Sequence, residues 1–310
     1  MAKHLFVIDP LDGVRIDQDS SFGLIDGAQA RGDGVWSCQT DGLFADLSGP
    51  FARCRRTTVR PVQGDHFTVA EAETLPLAHF DVIWMRKDPP FDLNYIAATY
   101  ILELAPNTTR VINHPESLRS WNEKACVLKF PDLTPPCLLS RDISEIRRFQ
   151  HQVGGSIVLK PLAFSGGAGI VALHPGDLNT PSLLEMSTRF GQDFILAQQY
   201  LPAIKDGDKR VIHINGEARG ALLRRPPDDD LRGNIHTGAS VELAELTDAE
   251  KEICERIRQP LADAGHLFAG IDLIGEQLTE INVTSPTGIQ EIYALGGPDL
   301  AAELLDAAAT

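Results

Sequence analysis

The feature that most constrains the fold is a run near the C-terminus, residues 271–283, in which oxygen-bearing side chains interrupt two apolar segments. Successive side chains of a β-strand point to opposite faces, so Glu280 and Asn282 share one face and the apolar residues beside them share the other. Residues 271–274 form a second short apolar segment, which carries Asp272. The run therefore predicts a β-hairpin with one polar face.

The length of the hairpin loop decides whether Asp272 joins that face. We predict a three-residue loop, 275–277, which places Glu280 directly opposite Asp272. A two-residue loop would place Asp272 opposite Thr279 and separate the polar groups, because a shift of one residue turns every side chain to the other face.

With the three-residue loop, Asp272, Glu280 and Asn282 form a candidate metal site. Hard oxygen ligands without a nearby His or Cys cluster suit Mg²⁺, with Mn²⁺ as an alternative ion, and Mg²⁺ usually shares its shell with substrate phosphates and water. The other interpretation is an ordinary half-buried hairpin with a solvated polar face.

Composition limits the partners. The chain has 310 residues and a formal net charge of -15, which argues against nucleic acid or an anionic membrane as a partner. The sequence lacks a signal-peptide pattern and a membrane-spanning stretch, so we expect a cytoplasmic protein. Five scattered cysteines without metal-ligand spacing are typical of reduced thiols: Cys38, Cys54, Cys126, Cys137 and Cys254.

The organisation along the chain predicts an α/β protein, α+β overall, in three parts. Apolar strand-like runs at 5–8 and 81–85, with a helical stretch at 95–104, predict an open α/β Rossmann-like domain over residues 1–122. A β-hairpin around a glycine-rich connection, 155–173, and a strand at 194–201 predict a second part, 123–201. The third part, 202–310, holds a strand before the Asn215-Gly216 turn, a helix opening at Thr247, and the polar hairpin.

Cationic side chains accompany the polar hairpin. Lys160 ends an apolar strand just before Ser165-Gly166-Gly167, and a buried lysine beside glycine amides suits a phosphate. Arg210 could clamp a γ-phosphate through its planar fork, and Lys124 is a further candidate. Taken singly, each has an ordinary alternative as a tight hairpin lysine, a solvated turn residue or a surface helix lysine.

Further polar groups could serve a carboxylate or acyl phosphate. Arg225 and Arg232 lie in or beside the loop that begins at Pro226, and Thr284 and Ser285 follow the last strand. Ordinary loop arginines and a capped strand end are the alternatives, and we favour the loop interpretation for Arg219 and Arg224. The sequence has no HExxH, GxSxG or GxxxxGK[ST] motif, which argues against metalloprotease, serine hydrolase and P-loop chemistry.

Four segments together resemble the bacterial glutathione synthetases, a family of ATP-grasp ligases. They are residues 19–22 (DSSF), 85–92 (MRKDPPFD), 200–210 (YLPAIKDGDKR) and 278–287 (LTEINVTSPT), and they are spread over nearly the whole chain. The resemblance implies an ATP-grasp fold with an N-terminal Rossmann-like pre-ATP-grasp domain.

Carried over residue by residue, the resemblance implies three groups of site residues besides the metal ligands Asp272, Glu280 and Asn282. The nucleotide group is Lys124, Lys160, Ser165, Gly166, Gly167, Gln198, Tyr200, Leu201, Asp208 and Arg210. The acyl-donor and substrate group is Asp19, Ser20, Arg86, Arg225, Thr284 and Ser285. The catalytic group is Arg210, Arg225 and Lys160.

The resemblance also implies the reaction. The γ-glutamylcysteine carboxylate would attack the γ-phosphate of ATP to give an acyl phosphate, which glycine would convert to an amide. The resemblance implies that the protein is a homodimer or a homotetramer. Two loops depart from the family pattern, at Ala163-Phe164-Ser165 and at Gly238-Ala239-Ser240, and they leave the acceptor amine open. The alternatives are a related ligase that joins another γ-glutamyl or small acid to another amine, and a nucleotide-binding regulatory protein without turnover.

Overall fold

The computed structural model describes residues 1–227, 233 and 238–309, and the statements below concern those residues. Its strands form three sheets that follow one another along the chain. Short 3₁₀ turns connect strands and helices along the chain at Leu11–Gly13, Thr40–Gly42, Leu77–His79, Ala125–Lys129 and Pro202–Asp206.

The N-terminal sheet has the order β3-β4-β2-β1-β6-β7, with β5 paired to β4. Its strands are β1 (Lys3–Val7), β2 (Gly34–Cys38), β3 (Leu43–Asp46), β4 (Gly49–Val59), β5 (Phe67–Pro76), β6 (Val82–Met85) and β7 (Arg110–Ile112). Its helices are α1 (Ser20–Ala30), α2 (Leu93–Glu103) and α3 (Pro115–Ser120). The strands β2, β1, β6 and β7 are parallel, and β1 and β6 are buried on both faces, which explains their uninterrupted apolar sequences.

The middle sheet is antiparallel, in the order β10-β9-β11-β8. Its elements are β8 (Cys137–Ser140), α4 (Ile143–Gln152), β9 (Ile157–Pro161), β10 (Val171–Leu173), α5 (Thr180–Ser187) and β11 (Ile195–Gln199). The predicted hairpin around the glycine-rich connection is confirmed as β9 and β10. A separate apolar core, with Ile146, Leu159 and Leu184 in it, joins this sheet to α4 and α5.

The C-terminal sheet is also antiparallel, in the order β14-β13-β12-β15-β16. Its strands are β12 (Asp208–Ile214), β13 (Glu217–Arg225), β14 (Ser240–Leu243), β15 (Phe268–Ile274) and β16 (Gln277–Asn282). Its helices are α6 (Asp248–Asp263), α7 (Ile289–Ala294) and α8 (Leu300–Ala308). Thr247 opens α6 with a capping box, as predicted, and the apolar stripe Ile253, Ile257 and Leu261 is buried.

The β15–β16 hairpin corrects one prediction. Its loop has two residues, Gly275 and Glu276, both at positive φ (53° and 63°), because Ile274 pairs with Gln277. The predicted three-residue loop is therefore wrong. The register nevertheless shifts beyond Leu273 by a β-bulge, which restores the predicted pairing of Asp272 with Glu280.

Two larger cores join the N-terminal and C-terminal sheets. On one side Phe6, Leu24 and Trp84 belong to one apolar cluster with Ile212 and Leu304. On the other side the second cluster runs from the N-terminal sheet to α6 and β15. None of the described helices has the length and apolar character needed to cross a bilayer.

Candidate active site

A cavity of about 570 Å³ is lined by residues of the middle and C-terminal sheets and by a few residues of the N-terminal part. Its wall is apolar at one end, where Val158, Ile170, Leu201 and Ile274 lie. Charged side chains line the rest of it: Asp88, Glu123, Lys124, Lys160, Asp208, Arg210, Arg224, Asp272, Glu280 and Glu291. The cavity can therefore hold a molecule that has a flat apolar part and a highly charged part.

The carboxylates of the hairpin are held by cations. Asp272 is buried, and Arg210 binds it through both Nε and Nη2, the latter 2.9 Å from Oδ2. Arg224 Nη2 lies 3.1 Å from Asp272 Oδ1, and Arg224 also donates to Asp208 through Nε (2.8 Å) and Nη2 (2.7 Å). Burial alone would raise the pKa of Asp272, but the two guanidinium groups outweigh it and hold that pKa well below its usual range.

Two buried lysines face the same hairpin. Lys124 Nζ donates to Glu280 Oε1 at 3.2 Å and to the carbonyl of Phe164 at 2.7 Å. Burial acts to lower the pKa of Lys124, but Glu280 and Glu123 outweigh it and raise the pKa. Lys160 Nζ donates to the carbonyl of Thr279 at 3.1 Å, and burial lowers its pKa despite Glu280. Both lysines line the cavity.

The three predicted metal ligands share the face of the hairpin that lines the cavity. Asn282 Nδ2 lies 3.3 Å from Asp272 Oδ2, so the amide and the two carboxylates are neighbours. The described residues offer no further His, Cys or carboxylate group to make a three-residue metal cluster, so the third oxygen here is the Asn282 amide. Two carboxylates and an amide in a cavity that is also lined by four cationic side chains fit Mg²⁺ that arrives with phosphate groups.

The glycine-rich connection approaches the cavity with its backbone. Gly166 and Gly167 have φ values of 64° and 78°, in the left-handed region that other residues rarely adopt. Ser165, Gly166 and Gly167 all line the cavity. A side chain at Gly166 would thus cost backbone strain, whereas glycine lets the loop turn beside Lys160.

The predicted nucleotide hinge lies at the apolar end. Gln198 is buried, and its Nε2 donates to Cys137 Sγ at 3.2 Å. Tyr200 and Leu201 follow β11 and line the cavity, and the ring of His174 meets Tyr200 edge-on with centroids 5.2 Å apart. Backbone at a strand end beside apolar walls is able to receive a planar heterocycle.

The predicted acyl-donor residues lie where the N-terminal domain meets the end of β16. Asp19 caps α1 by accepting from the Phe22 amide at 2.7 Å. Arg86 is buried; it binds the carbonyl of Pro286 at 2.9 Å, and its Nη1 has no hydrogen-bond partner in the described part of the chain. The hydroxyl of Ser20 is likewise buried and unpartnered among the described residues.

Thr284 and Ser285 line the cavity beside this region. Thr284 is tied to Glu123, as described below, and the Ser285 hydroxyl donates to the carboxylate of Asp88. Among the described residues that line the cavity, Asp19, Ser20 and Arg86 do not appear, so the structure separates these predicted substrate residues from Thr284 and Ser285 in the wall.

The structure reverses the sequence interpretation of the two adjacent arginines. Arg225, predicted at the reacting carboxyl, is exposed and pairs with Glu242 at 2.8 Å outside the cavity. Arg224, interpreted as an ordinary loop arginine, is buried to 4% exposure and lines the cavity. Because neighbouring residues of a strand point to opposite faces, only one of the two can reach the site. Asp208 is correspondingly bound at both oxygens by Arg224.

Three acidic residues of the cavity wall were missed by the sequence reasoning: Asp88, Glu123 and Glu291. Glu123 Oε1 accepts hydrogen bonds from the Val283 amide (3.0 Å) and from the Thr284 amide (3.0 Å) and hydroxyl (2.6 Å). Glu291, in the first turn of α7, lines the cavity with 7% exposure. Position beside the recognised motifs was the one available signal: Glu123 precedes Lys124, and Glu291 lies four residues after Thr287. Arg232 and most of the loop that begins at Pro226, at 228–232 and 234–237, lie outside the described residues.

Comparison with known families and proteins covers nearly the whole chain. A model of the N-terminal domain of prokaryotic glutathione synthetase matches residues 2–119, and a model of the ATP-grasp domain of the same family matches residues 123–297. The glutathione synthetase of Bradyrhizobium diazoefficiens is 45% identical over 299 residues, which are 96% of this chain and 95% of that protein. That of Agrobacterium fabrum is 43% identical over 300 residues, covering 97% and 94%.

Solved structures with low identity confirm the predicted fold. The D-cycloserine synthetase DcsG superposes with a TM-score of 0.70 at 12% identity, over 99% of this chain and 98% of that chain. A RimK domain ATP-grasp protein from Sphaerobacter thermophilus superposes with a TM-score of 0.65 at 15% identity, over all of both chains. The fold is therefore ATP-grasp with an N-terminal α/β domain.

Proposed function

The chain belongs to the prokaryotic glutathione synthetase family of ATP-dependent ligases, and from that premise we propose that its cavity joins γ-glutamylcysteine to glycine at the expense of ATP. The relatives that share 43–45% of their residues with it over nearly their full length carry that activity in their names. The products would be glutathione, ADP and phosphate.

The observation that carries the proposal is the pairing of opposite charges in the cavity wall. Asp272 is bound by Arg210, and Glu280 is bound by Lys124. Buried charges need partners, and these groups neutralise one another. Polyphosphate with its divalent cation offers both groups a new partner: the cations turn to phosphate oxygens and the carboxylates to the metal.

The chain's residues mainly position and neutralise. Lys124, Lys160 and Arg210 would hold the phosphates, while the apolar end and the backbone at Tyr200 would take the base. Mg²⁺, held by Asp272, Glu280 and Asn282, would supply positive charge against the phosphate oxygens. Phosphoryl transfer needs fixed charge more than a nucleophilic side chain, which agrees with the absence of a hydrolase motif from the sequence.

The acyl donor would enter from the N-terminal side. Arg86 carries a buried N–H group without a partner in the described chain, and it binds the carbonyl of Pro286, two residues after Thr284. A carboxylate of the peptide substrate placed near Thr284 and Ser285 would meet that guanidinium group. We propose that the other carboxylate of γ-glutamylcysteine, the one that does not react, is held there.

Water must be kept from the acyl phosphate, because it would otherwise be hydrolysed. The hairpin β9–β10 carries its own core with α4 and α5, so we propose that the middle sheet moves as a lid over the phosphates. This lid, the predicted cytoplasmic location and the predicted homodimer or homotetramer all belong to the proposal. Light scattering on the purified protein measures the oligomeric state.

A substrate panel tests the function. Purified protein is incubated with ATP, Mg²⁺ and pairs of acyl donors and amines, and products are identified by mass spectrometry. Efficient formation of glutathione is expected. Preference for another amine would support the related ligase suggested by the departures at Ala163-Phe164-Ser165, and absence of ADP release with every pair would contradict a ligase.

A substitution tests the site separately. Glu280→Gln keeps the shape and one acceptor for Lys124 but removes a charge from the metal face, so turnover should fall by at least about 100-fold. Exposed Glu252 on α6 supplies the matched control, and Glu252→Gln should match the unsubstituted protein. Circular dichroism checks the fold of both variants, and undiminished turnover in Glu280→Gln would contradict the metal assignment.

A further inference from the structure

Glu291 is a buried carboxylate that the steps above do not use. It lies in the cavity wall with 7% exposure, and the described residues other than Glu291 itself donate no hydrogen bond to either of its carboxylate oxygens. A buried carboxylate without partners is costly, and evolution usually keeps one only where a ligand or a proton completes it. Its cavity-facing position makes a substrate the natural partner.

The charged residues around Glu291 indicate which chemical group of a substrate would bind to it. The charged groups that act on Glu291 are Asp17 from the loop before α1, Arg210 on β12 and Arg224 on β13. Both arginines are already bound to carboxylates, Arg210 to Asp272 and Arg224 to Asp208. The described protein therefore leaves Glu291 without a direct cationic partner. A substrate ammonium group would complete it.

Glu291 also lies close to the transfer centre. Arg210 Nη1 donates to the carbonyl of Thr287 at 3.2 Å, and α7 begins two residues later. The same guanidinium group binds Asp272. The first turn of α7 thus stands beside the cation that is proposed to meet the γ-phosphate, which is where an incoming amine must arrive.

We propose that Glu291 binds the ammonium group of the incoming amino acid and takes a proton from it as the amide forms. This inference rests on the proposed function, since it concerns the second half of that reaction. An amino acid arrives near neutral pH as its ammonium form, whose nitrogen has no free electron pair. Loss of one proton to the Glu291 carboxylate frees that pair to attack the acyl carbon.

The step balances in atoms and charge. The C–N bond forms, the bond between the acyl carbon and the phosphate oxygen breaks, and phosphate leaves with that electron pair. The second proton lost by nitrogen goes to the leaving phosphate. Burial raises the pKa of Glu291 to about 7, so the carboxylate can accept a proton during the reaction and release it afterwards.

Hydroxylamine separates proton removal from acyl transfer, because it is already a neutral nucleophile near pH 7 and yields a hydroxamate with an acyl phosphate. The experiment compares the unsubstituted protein with Glu291→Gln, supplying ATP, Mg²⁺ and γ-glutamylcysteine with either glycine or hydroxylamine. We expect the glycine reaction of Glu291→Gln to fall by about 100-fold or more, and the hydroxamate reaction by less than about fivefold. Glu252→Gln should leave both reactions unchanged.

Three results would overturn the inference. The first is a glycine reaction in Glu291→Gln within about fivefold of normal. The second is an equal fall in both reactions, which would mean a role in the ATP step or in the fold. The third is a raised KM for glycine with an unchanged kcat, which would mean binding without proton transfer. If the unsubstituted protein forms neither glutathione nor hydroxamate, the proposed function itself fails, whatever the variant does.

Discussion

The adjacent pair Arg224 and Arg225 gives the sharpest test of the site as the structure draws it. Each is replaced by methionine, which keeps much of the side-chain bulk and removes the charge. Arg224 is 4% exposed and binds Asp208 at two oxygens, whereas the Arg225 and Glu242 side chains are 48% and 57% exposed. The two variants differ by one position in the sequence and should differ greatly in consequence.

The magnitude follows from burial. Removing Arg224 leaves the carboxylate of Asp208 buried without its partner, which typically costs about 3–5 kcal/mol of unfolding free energy. Removing Arg225 breaks a solvent-exposed pair worth about 0.2–1 kcal/mol. With a urea m-value of about 3 kcal/mol/M, Arg224→Met should lower the midpoint by about 1 M or more, and Arg225→Met by about 0.3 M or less.

The assay is urea unfolding followed by circular dichroism, with ADP release measured on the same samples. A third variant, Asp208→Asn with Arg224→Met, removes the stranded charge and should regain much of the stability while turnover stays low, because a cation is still missing from the cavity. Equal midpoint shifts for the two single variants, or a larger loss of turnover in Arg225→Met, would refute the placement of Arg224 in the site.

Three further predictions concern buried groups. Glu123→Ala leaves the amides of residues 283 and 284 without an acceptor and should lower the free energy of unfolding in urea by at least about 2 kcal/mol. Glu123→Gln keeps an acceptor oxygen and should lower it by less, and equal losses in the two variants would contradict the hydrogen-bond account. Burial lowers the pKa of His213 to about 4 from 6.5, so stability present above pH 6.5 is lost as the pH falls toward 4, at about 1.4 kcal/mol per pH unit. His213→Leu should remove this contribution to the pH dependence of the unfolding free energy. An unchanged pH dependence in the variant would count against the lowered pKa. Burial raises the pKa of Glu291 to about 7 from 4.5, so stability present below pH 4.5 is lost as the pH rises through 7. Glu291→Gln should therefore unfold at a higher urea concentration than the unsubstituted protein at pH 8 but not at pH 4.5. The reverse order would exclude the raised pKa.

The parallel strands were predictable because burial on both faces leaves a plain record in the sequence. The runs at 5–8 and 81–85 have few polar interruptions, and strands β1 and β6 lie there with both faces covered. Turns with asparagine and glycine were equally readable, since Asn215 and Gly216 both take positive φ between β12 and β13.

The order of the two arginines was not predictable from alternation. Residues 221–223 of β13 are all apolar, so the strand shows no inside-outside pattern just before Arg224 and Arg225. The phase of a strand is set by its partners, here β12 and β14, and the sequence of β13 alone does not contain that information.

The hairpin loop failed for a different reason. The pattern of residues 271–283 fits two combinations equally, a three-residue loop or a two-residue loop followed by a bulge. Two contacts accompany the bulge: within the hairpin the Thr279 hydroxyl donates to the carbonyl of Asp272 at 3.0 Å, and from outside it Lys160 donates to the Thr279 carbonyl at 3.1 Å. The second of these partners lies in another sheet, 119 residues away.

The β-bulge at Thr279 links the middle sheet to the proposed metal site. Lys160, a proposed phosphate ligand from the middle sheet, binds the carbonyl of the extra residue, and the extra residue is what brings Glu280 opposite Asp272. An anion that draws Lys160 away from Thr279 would thus loosen the contact between the two sheets beside the proposed metal ligands. Nucleotide binding and movement of the proposed lid should therefore be coupled through this lysine, because the same ammonium group cannot hold the Thr279 carbonyl and a phosphate with full strength at once.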